Sequence, residues 1–390
     1  MTPAARLAAA IGVLDRVLAG TSVERELTNW ARASRFAGSK DRAAVRDIVF
    51  DCLRNLRSYH TISGQVGGRG LALGWCLDGG GDLDALFSGQ GYGPPPLSPS
   101  ERAPRSVVKP PEAAEAADMQ DWLWPMLQAD HGARTMHLAR ALCRRAPLDL
   151  RVNLARTTVE EAARGLGADG IRSETVKGVP SALRVTENPR RVAGSAAYLA
   201  GLVEIQDAAS QAVVDLLPLR PELDVLDYCA GGGGKTLAIA GRAPGARISA
   251  WDISTARLSA LRPRAERAAA QVRLLAAPPQ EAAFDLVLVD APCSGSGAWR
   301  RSPEGKWRLT PDRLEELRRM QRGVLDGGWS ALRPGGVMAY ATCSILSVEN
   351  RAQVDSFLER TPDARLATDR SFALGAPGDG FYVALVQKAT

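Results

Sequence analysis

The 390-residue chain has little of what a metal site or a disulfide framework requires. Its six cysteines are scattered, no two of them are spaced as Cys-x-x-Cys, and its three histidines form no cluster with them. This spacing argues against the common structural zinc motifs, and so few cysteines in so long a chain argue against a disulfide-stapled fold. We therefore expect no bound metal and a reducing, cytoplasmic environment.

Long apolar runs are also missing. The apolar stretch from Leu7 to Leu14 is cut short by Asp15 and Arg16, which is typical of an amphipathic helix rather than of a secretion signal. No stretch approaches the roughly 18 consecutive apolar residues of a transmembrane helix. The sequence accordingly predicts a protein with no membrane partner.

Lysine is scarce, whereas arginine is abundant. Only six of the 49 basic residues are lysines, and the 43 acidic residues leave a formal net charge of +6. Arginine offers a planar fork that suits phosphate groups and base stacking. A mild basic excess of this kind permits a nucleic-acid partner, but GC-rich coding would produce it equally well, so composition leaves both interpretations open.

Patterning divides the chain into four segments. Residues 1–88 carry apolar side chains at helical spacing, and residues 89–118, rich in Gly and Pro, predict an extended and mobile linker. Residues 119–195 mix helical and alternating patterns, which indicates a small α+β subdomain. In residues 196–390 strand-like runs alternate with helical ones, which predicts an α/β fold with a parallel sheet covered by helices on both faces.

Five strands are expected in this last segment, at Leu223–Tyr228, Arg247–Trp251, Val272–Leu275, Phe284–Val289 and Gly336–Ala341. Ligands of such folds bind at the carboxyl ends of the strands. The residues that directly follow each strand are therefore the candidates for function.

The loop after the first of these strands is rich in glycine and reads Cys229-Ala230-Gly231-Gly232-Gly233-Gly234-Lys235-Thr236. Four glycines allow a ligand to approach the backbone closely. A P-loop needs glycine where Cys229 stands, and the dinucleotide fingerprint needs one where Thr236 stands, so both match poorly. A third candidate is S-adenosylmethionine, which carries no phosphate. Asp252, after the second strand, suits ribose hydroxyls or the N-cap of the next helix.

Two cysteines follow the fourth and fifth strands, in Asp290-Ala291-Pro292-Cys293-Ser294-Gly295 and Ala341-Thr342-Cys343-Ser344. A single cysteine there is most often a small buried apolar residue. Two at the rim that carries the glycine loop favour chemistry instead. Methylation of carbon 5 of cytosine uses two thiols: one adds to carbon 6, which makes carbon 5 nucleophilic, and the other assists release.

Further short motifs accompany these: Gln206-Asp207-Ala208-Ala209-Ser210-Gln211, Arg300-Arg301, Lys306-Trp307, Ile345-Leu346, Glu349-Asn350 and Asp379-Gly380-Phe381. Together, over about residues 120–390, the motifs resemble the RsmB/Sun (Fmu, NSUN-like) family of RNA 5-methylcytosine methyltransferases. The resemblance implies a class I S-adenosylmethionine methyltransferase (Rossmann-like) domain. More weakly, Ser39-Lys40-Asp41-Arg42 and the residues to Arg54 resemble a NusB-like helical RNA-binding domain.

The resemblance also implies roles for individual residues. Cys343 would be the nucleophile, Cys293 the thiol that releases the product, and Asp290 the group that activates the base. The implied contacts of S-adenosylmethionine are the loop from Cys229 to Lys235 together with Asp252 and Asp290.

An RNA partner, ribosomal or transfer RNA, follows from the same resemblance, and we expect the protein to act as a monomer. Four basic residues after the catalytic strand are predicted to hold RNA phosphates, the alternative being a solvated loop: Arg300, Arg301, Lys306 and Arg308.

Two positions depart from the family pattern. Gly232 stands where the family usually has proline, and residues 275–279 contain no counterpart of the acidic residue that the family carries near the adenine, although Glu281 follows shortly after. These departures bear on cofactor affinity and keep open a catalytically silent RNA-binding factor on the same fold. A DNA cytosine methyltransferase is disfavoured because the resemblance places the nucleophile after the fifth strand.

Overall fold

The structure is a computed structural model that describes residues 1–103, 112–279, 281–375 and 377–390. The chain forms two compact units. One consists of Met1–Arg145 with Trp299–Arg308, and the other of Ala146–Ala298 with Leu309–Thr390.

The α-helices lie, in chain order, at α1 (Pro3–Leu18), α2 (Val23–Ala33), α3 (Ser39–Arg54), α4 (Leu56–Ser63), α5 (Gly67–Asp78), α6 (Leu83–Leu86), α7 (Pro99–Arg102), α8 (Ala113–Ala116), α9 (Trp124–His131), α10 (Thr135–Leu142), α11 (Val159–Ala168), α12 (Ala196–Leu199), α13 (Ala208–Asp215), α14 (Gly234–Arg242), α15 (Thr255–Ser259), α16 (Leu261–Ala268), α17 (Glu304–Arg308), α18 (Pro311–Ala331) and α19 (Arg351–Arg360).

The strands lie at β1 (Leu148–Val152), β2 (Arg172–Val176), β3 (Val179–Glu187), β4 (Val203–Ile205), β5 (Asp224–Asp227), β6 (Arg247–Ala250), β7 (Val272–Leu274), β8 (Phe284–Asp290), β9 (Leu332–Thr342), β10 (Ala364–Phe372) and β11 (Phe381–Lys388).

The first unit is helical, as the spacing of its apolar residues predicts. Helix α1 begins where the Thr2 hydroxyl accepts a hydrogen bond from the backbone of Ala5, which satisfies one of the free amides of the first turn. Leu7 and Leu14, two turns apart, are fully buried against residues of α3 and α5. Burial of this stripe supplies the apolar core of the unit.

The Gly- and Pro-rich segment predicted as an extended linker is packed where the structure describes it. The amide of Gly89 donates to the carbonyl of Pro94 in a turn, and Leu97 lies buried in the helical core. Arg69 pairs with Glu101. Residues 104–111, which include Pro104, Pro110 and Pro111, lie outside the described residues. In the described part of this segment, the glycines lie in a turn and Pro99 begins α7, so the segment is folded and not an extended linker.

The second unit contains two sheets. The first has the strand order β2-β3-β1-β4 and is antiparallel, with α11 covering it. The other has the order β10-β11-β9-β8-β5-β6-β7. Its strands β5 to β9 are mutually parallel and correspond to the five predicted strands. This confirms the Rossmann-like fold class.

The central strands of the larger sheet are apolar on both faces. In β8, Leu286 and Leu288 face one core, whereas Val287 and Val289 face the other. Helices cover each face, so the strand needs no polar side and reads as a continuous apolar run. This arrangement leaves the loops at the carboxyl ends of the strands to carry polar chemistry.

Candidate active site

The loops that follow β5, β6, β8 and β9 lie side by side, because these strands are parallel neighbours in the order β9-β8-β5-β6. We call these four loops the sheet rim. The rim carries Cys343 after β9, Asp290 and Cys293 at the end of β8, the glycine loop after β5 and Asp252 after β6. Strand β11 runs antiparallel to β9 and begins at the same rim with Phe381.

The two rim thiols are in contact. The Sγ atoms of Cys293 and Cys343 lie 3.4 Å apart, and both cysteines are free and partly buried. The contact with the Cys343 thiol, together with burial, raises the pKa of Cys293 well above its usual range. Cys293 is therefore a neutral thiol at neutral pH.

A buried ion pair lies at the same rim. The Nζ of Lys235 is 2.7 Å from Oδ1 of Asp290 and 5.0 Å from the ring centre of Phe381. Burial alone would lower the pKa of Lys235, but the ion pair with Asp290 and a thiolate at Cys343 outweigh it, so that the pKa is raised. The sequence assigned Lys235 to the cofactor loop, yet its ammonium group faces Asp290.

Backbone geometry requires glycine in the loop after β5. At Gly233 the φ angle is +81°, and a Cβ atom there would lie 2.0 Å from Cδ1 of Leu261. The amide of Gly231 donates to Oδ2 of Asp252 over 2.8 Å. Asp252 thus holds the loop in place, while the N-cap of the following helix is Ser254.

Asp227, at the end of β5, is a buried carboxylate that forms no ion pair with any lysine or arginine that the structure describes. The Thr236 hydroxyl donates to its Oδ2 over 2.7 Å, while its Oδ1 has no hydrogen-bond partner among the described residues. Burial raises the pKa of Asp227 to about 7. Asp227 therefore differs from Asp290 and Asp252, which form ion pairs with Lys235 and Arg257.

The outer motifs noted in the sequence complete the rim. Asp207, the N-cap of α13, accepts hydrogen bonds from the amide of Asp379. Gly297 and Gly380 approach so closely that a Cβ at Gly297 would lie 2.0 Å from the carbonyl oxygen of Gly380. These contacts hold the chain before β11 against the loop that carries Cys293.

Three residues gain significance only from the structure. Ile253 is 87% exposed beside Asp252, which is unusual for a large apolar side chain. Glu349, for which the sequence predicted no individual role, is fully buried between the two cysteine loops, with Gln321 beside it.

Among the described residues, no group of three or more potential metal ligands occurs.

The four predicted RNA-binding residues belong to the first unit, where two of them are buried. Lys306 is 1% exposed, and its Nζ donates to the carbonyl of Arg54 over 3.0 Å. The carbonyl of Arg300, also a buried residue, accepts from Nε of Arg54 over 2.8 Å. Burial of Arg300 and Lys306 differs from the solvated loop that was the alternative to RNA binding, and it leaves little of either side chain free for RNA phosphates. Arg308 is exposed and pairs with Glu304.

The physical reason lies in the end of α3. The last carbonyls of a helix have no partner within the helix and carry partial negative charge. Here the indole of Trp307 donates to the carbonyl of Leu53 over 2.6 Å, and Lys306 donates to that of Arg54. Residues 299–308 therefore belong to the first unit, where Lys306 and Trp307 cap the end of α3.

Sequence comparison identifies the family. Residues 214–384 match the family model of the 16S rRNA methyltransferase RsmB/F, and residues 119–192 match that of the RsmF/B-like ferredoxin-like domain. A ribosomal RNA small subunit methyltransferase B of Xanthomonas campestris is 33% identical over 99% of this chain and 98% of its own length. The chain belongs to the RsmB/F methyltransferase family. The resemblance drawn from the motifs is thereby confirmed, and the protein is an RNA methyltransferase.

Two further relatives agree with this assignment. A ribosomal RNA small subunit methyltransferase B of Vibrio cholerae is 38% identical over 68% of this chain and 64% of its own length. A methyltransferase homologue of Pyrococcus horikoshii has a crystal structure that superposes with a TM-score of 0.62 at 24% identity, over 70% of this chain and 97% of the other. The second comparison supports the fold. No described helix is long and apolar enough to span a membrane.

Proposed function

We propose that this RsmB/F family member transfers a methyl group from S-adenosylmethionine to carbon 5 of a cytosine in 16S ribosomal RNA, through a covalent adduct between Cys343 and carbon 6. The observation that carries the proposal is the contact of the Cys293 and Cys343 thiols, 3.4 Å apart at the rim that also holds Lys235 and Asp290. The ribosomal target is proposed because the two curated relatives are ribosomal RNA small subunit methyltransferases B.

The rim fits S-adenosylmethionine, which when bound supplies an electrophilic methyl group. The glycine loop follows β5 at the carboxyl end of the sheet, and Asp252, at the end of β6, would accept hydrogen bonds from the ribose hydroxyls. The exposed side chain of Ile253 offers an apolar surface for the adenine ring. After β7 no carboxylate occurs in residues 275–279, and Glu281 is exposed. We therefore expect Ile253, more than a polar contact, to hold the adenine.

The cytosine would be activated by the residues around the ion pair. Cys343 as a thiolate attacks carbon 6, and a thiolate there interacts favourably with the Lys235 ammonium group. Asp290, held by Lys235, faces the base, and a proton that it receives through this ion pair is donated to N3 as carbon 6 is attacked. After methylation the proton on carbon 5 passes to water or another base. The electron pair of that C–H bond re-forms the double bond between carbons 5 and 6 and expels Cys343 as a thiolate. Cys293 is close enough to assist that release. The base must lie in a loop or be flipped out to reach the rim.

Replacement of Cys343 by Ser tests the proposal, with methyl transfer from tritiated S-adenosylmethionine to 16S ribosomal RNA as the readout. We expect loss of activity in Cys343→Ser and normal activity in the control Cys143→Ser, whose thiol lies in the first unit. Retained methylation by Cys343→Ser would contradict the proposal. Bisulfite sequencing of RNA from a deletion strain would identify the cytosine and would distinguish ribosomal from transfer RNA.

A catalytically silent RNA-binding factor is the second candidate, favoured by the missing carboxylate after β7. Calorimetry separates the two candidates. Binding of S-adenosylmethionine at micromolar to submillimolar concentration supports the enzyme, whereas no heat at millimolar ligand supports the silent factor.

A further inference from the structure

The carboxylate of Glu349 lies between the two loops that carry the thiols, and it is fully buried. Its Oε1 accepts from the amide of Ser294 over 2.8 Å and from Nε2 of Gln321 over 3.0 Å. Its Oε2 accepts from the hydroxyls of Ser294 over 2.5 Å and Ser344 over 2.6 Å. Among the described residues, no lysine or arginine pairs with it.

Two of the hydrogen-bond partners of this carboxylate are neighbours, in the sequence, of the two thiols. Ser294 directly follows Cys293, and Ser344 directly follows Cys343. One side chain is thus bonded to the neighbours of both thiols, on loops that follow different strands. Since β8 and β9 are adjacent and parallel, the strands bring the loops near each other, but they do not set the distance between two side chains at the tips.

Four hydrogen bonds compensate for the burial of this group. An isolated carboxylate is costly to bury, but charge-assisted hydrogen bonds, each stronger than a neutral one, offset that cost. Gln321 is itself tied to the cysteine loop, because its Nε2 also lies 2.9 Å from the carbonyl of Pro292. The backbone of Glu349 is fixed as well, since its carbonyl accepts from the Tyr340 hydroxyl over 2.6 Å. Hydrogen bonds to both its side chain and its backbone therefore fix the position of Glu349.

We propose that Glu349 is a positioning residue that keeps the Cys293 and Cys343 thiols in contact by fastening Ser294 and Ser344 to a single carboxylate. That this contact serves methyl transfer rests on the proposed function, whereas the positioning itself does not. Its negative charge has a second consequence: it contributes to the raised pKa of Cys293, so that Cys293 stays a thiol while Cys343 reacts.

Two substitutions separate shape from charge. Glu349→Ala removes all four acceptor contacts, which include the acceptor of the Ser294 amide. Glu349→Gln keeps an acceptor oxygen for the Ser294 amide and Gln321, and its amide can donate to the two serine hydroxyls, which are able to accept. We expect Gln to preserve the thiol contact and Ala to lose it. The matched control is Glu359→Ala, an exposed glutamate on α19.

The test is disulfide formation between Cys293 and Cys343 on treatment with the azo oxidant diamide. The two thiols lose two protons and two electrons, the azo group becomes a hydrazine, and peptide mapping identifies the linked cysteines. We expect the wild type, Glu349→Gln and Glu359→Ala to form this disulfide at similar rates. Glu349→Ala should be slower by about tenfold or more, because the thiols lose their fixed proximity. This readout requires neither RNA nor S-adenosylmethionine, so it is independent of the proposed function.

A second readout follows methyl transfer to RNA. In Glu349→Ala we expect kcat to fall with little change in the KM for RNA, and Glu349→Gln to recover most of kcat. Oxidation of Glu349→Ala at the wild-type rate would overturn the proposal, as would a failure of Glu349→Gln to recover either readout. If thermal unfolding shows that Glu349→Ala does not fold, the double variant Ser294→Ala/Ser344→Ala takes its place. Its rates of disulfide formation and methyl transfer are then compared with those of the wild type in the same way.

Discussion

Two of the six lysines, Lys235 at the sheet rim and Lys306 in the helical unit, are almost fully buried, and their surroundings differ. Lys235 lies at the start of α14, where the helix dipole disfavours a cation, and Asp290 compensates. Lys306 lies at the carboxyl end of α3, where the dipole favours a cation, and its Nζ donates to the carbonyl of Arg54. It forms no ion pair with a carboxylate that the structure describes.

The pKa values follow the same division. The pair with Asp290 raises that of Lys235 against the effect of burial, whereas burial lowers that of Lys306. Lys306 also lies 4.6 Å from the ring centre of Trp307, a contact that stabilises a cation in an apolar setting. A buried lysine that faces a carboxylate beside two thiols is placed for chemistry. One that closes a helix end is placed for stability.

The largest expected effect is on activity, in Lys235→Met. Loss of the ammonium group leaves Asp290 and a Cys343 thiolate without their cation, so we expect kcat to fall by about 100-fold or more, as for the loss of a preorganised charge. The fold should persist, because Met fills a similar volume. Methyl transfer and circular dichroism are the measurements. Activity near the wild-type level would show that Lys235, like Lys306, does not take part in the reaction.

A smaller effect is expected from Lys306→Met, on stability. Burial lowers the pKa of Lys306 in the folded protein, so the unfolded chain binds this proton more tightly. The free energy of unfolding of the wild type should therefore rise with pH, up to the ordinary lysine pKa of 10.5. Each unit of lowering is worth about 1.4 kcal/mol. Relative to Lys306→Met, the wild type should therefore gain stability between pH 7 and pH 10 in urea unfolding. A constant difference across that range would contradict the account.

The smallest effect is expected from Arg308→Ala. The exposed pair with Glu304 contributes less than about 1 kcal/mol to stability. If Arg308 holds an RNA phosphate, as the sequence predicts, the variant should bind RNA more weakly and the slope of log affinity against log salt should fall by about one. Filter binding at several salt concentrations measures this slope. An unchanged slope would remove Arg308 from the predicted RNA contacts.

The sequence predicted the parallel part of the sheet because central strands such as Phe284–Asp290 are continuous apolar runs. Strand β10 (Ala364–Phe372) was missed because it lies at the edge and is largely exposed and polar, so that neither a run nor a clean alternation marks it. Strand β11 is apolar but antiparallel, and its place beside β9 follows from tertiary pairing that no local pattern encodes.

At the site, the sequence placed the glycine loop and the two cysteines at one rim because each follows a predicted strand. It could not predict which side chains meet there. The Lys235–Asp290 pair and the four bonds of Glu349 join residues far apart in the chain, 55 positions in the case of Ser294 and Glu349. Burial of Lys306 was missed because lysine is usually exposed and the acceptor, the carbonyl of Arg54, belongs to another segment.

The most direct test of the proposed chemistry is the intact mass of Cys293→Ala after incubation with S-adenosylmethionine and substrate RNA. The proposal predicts an RNA adduct that survives denaturation and maps to Cys343, because methylation proceeds but the thiol that assists release is missing. The double variant Cys293→Ala/Cys343→Ala should form none. Normal turnover by Cys293→Ala with no adduct, or an adduct in the double variant, would contradict it.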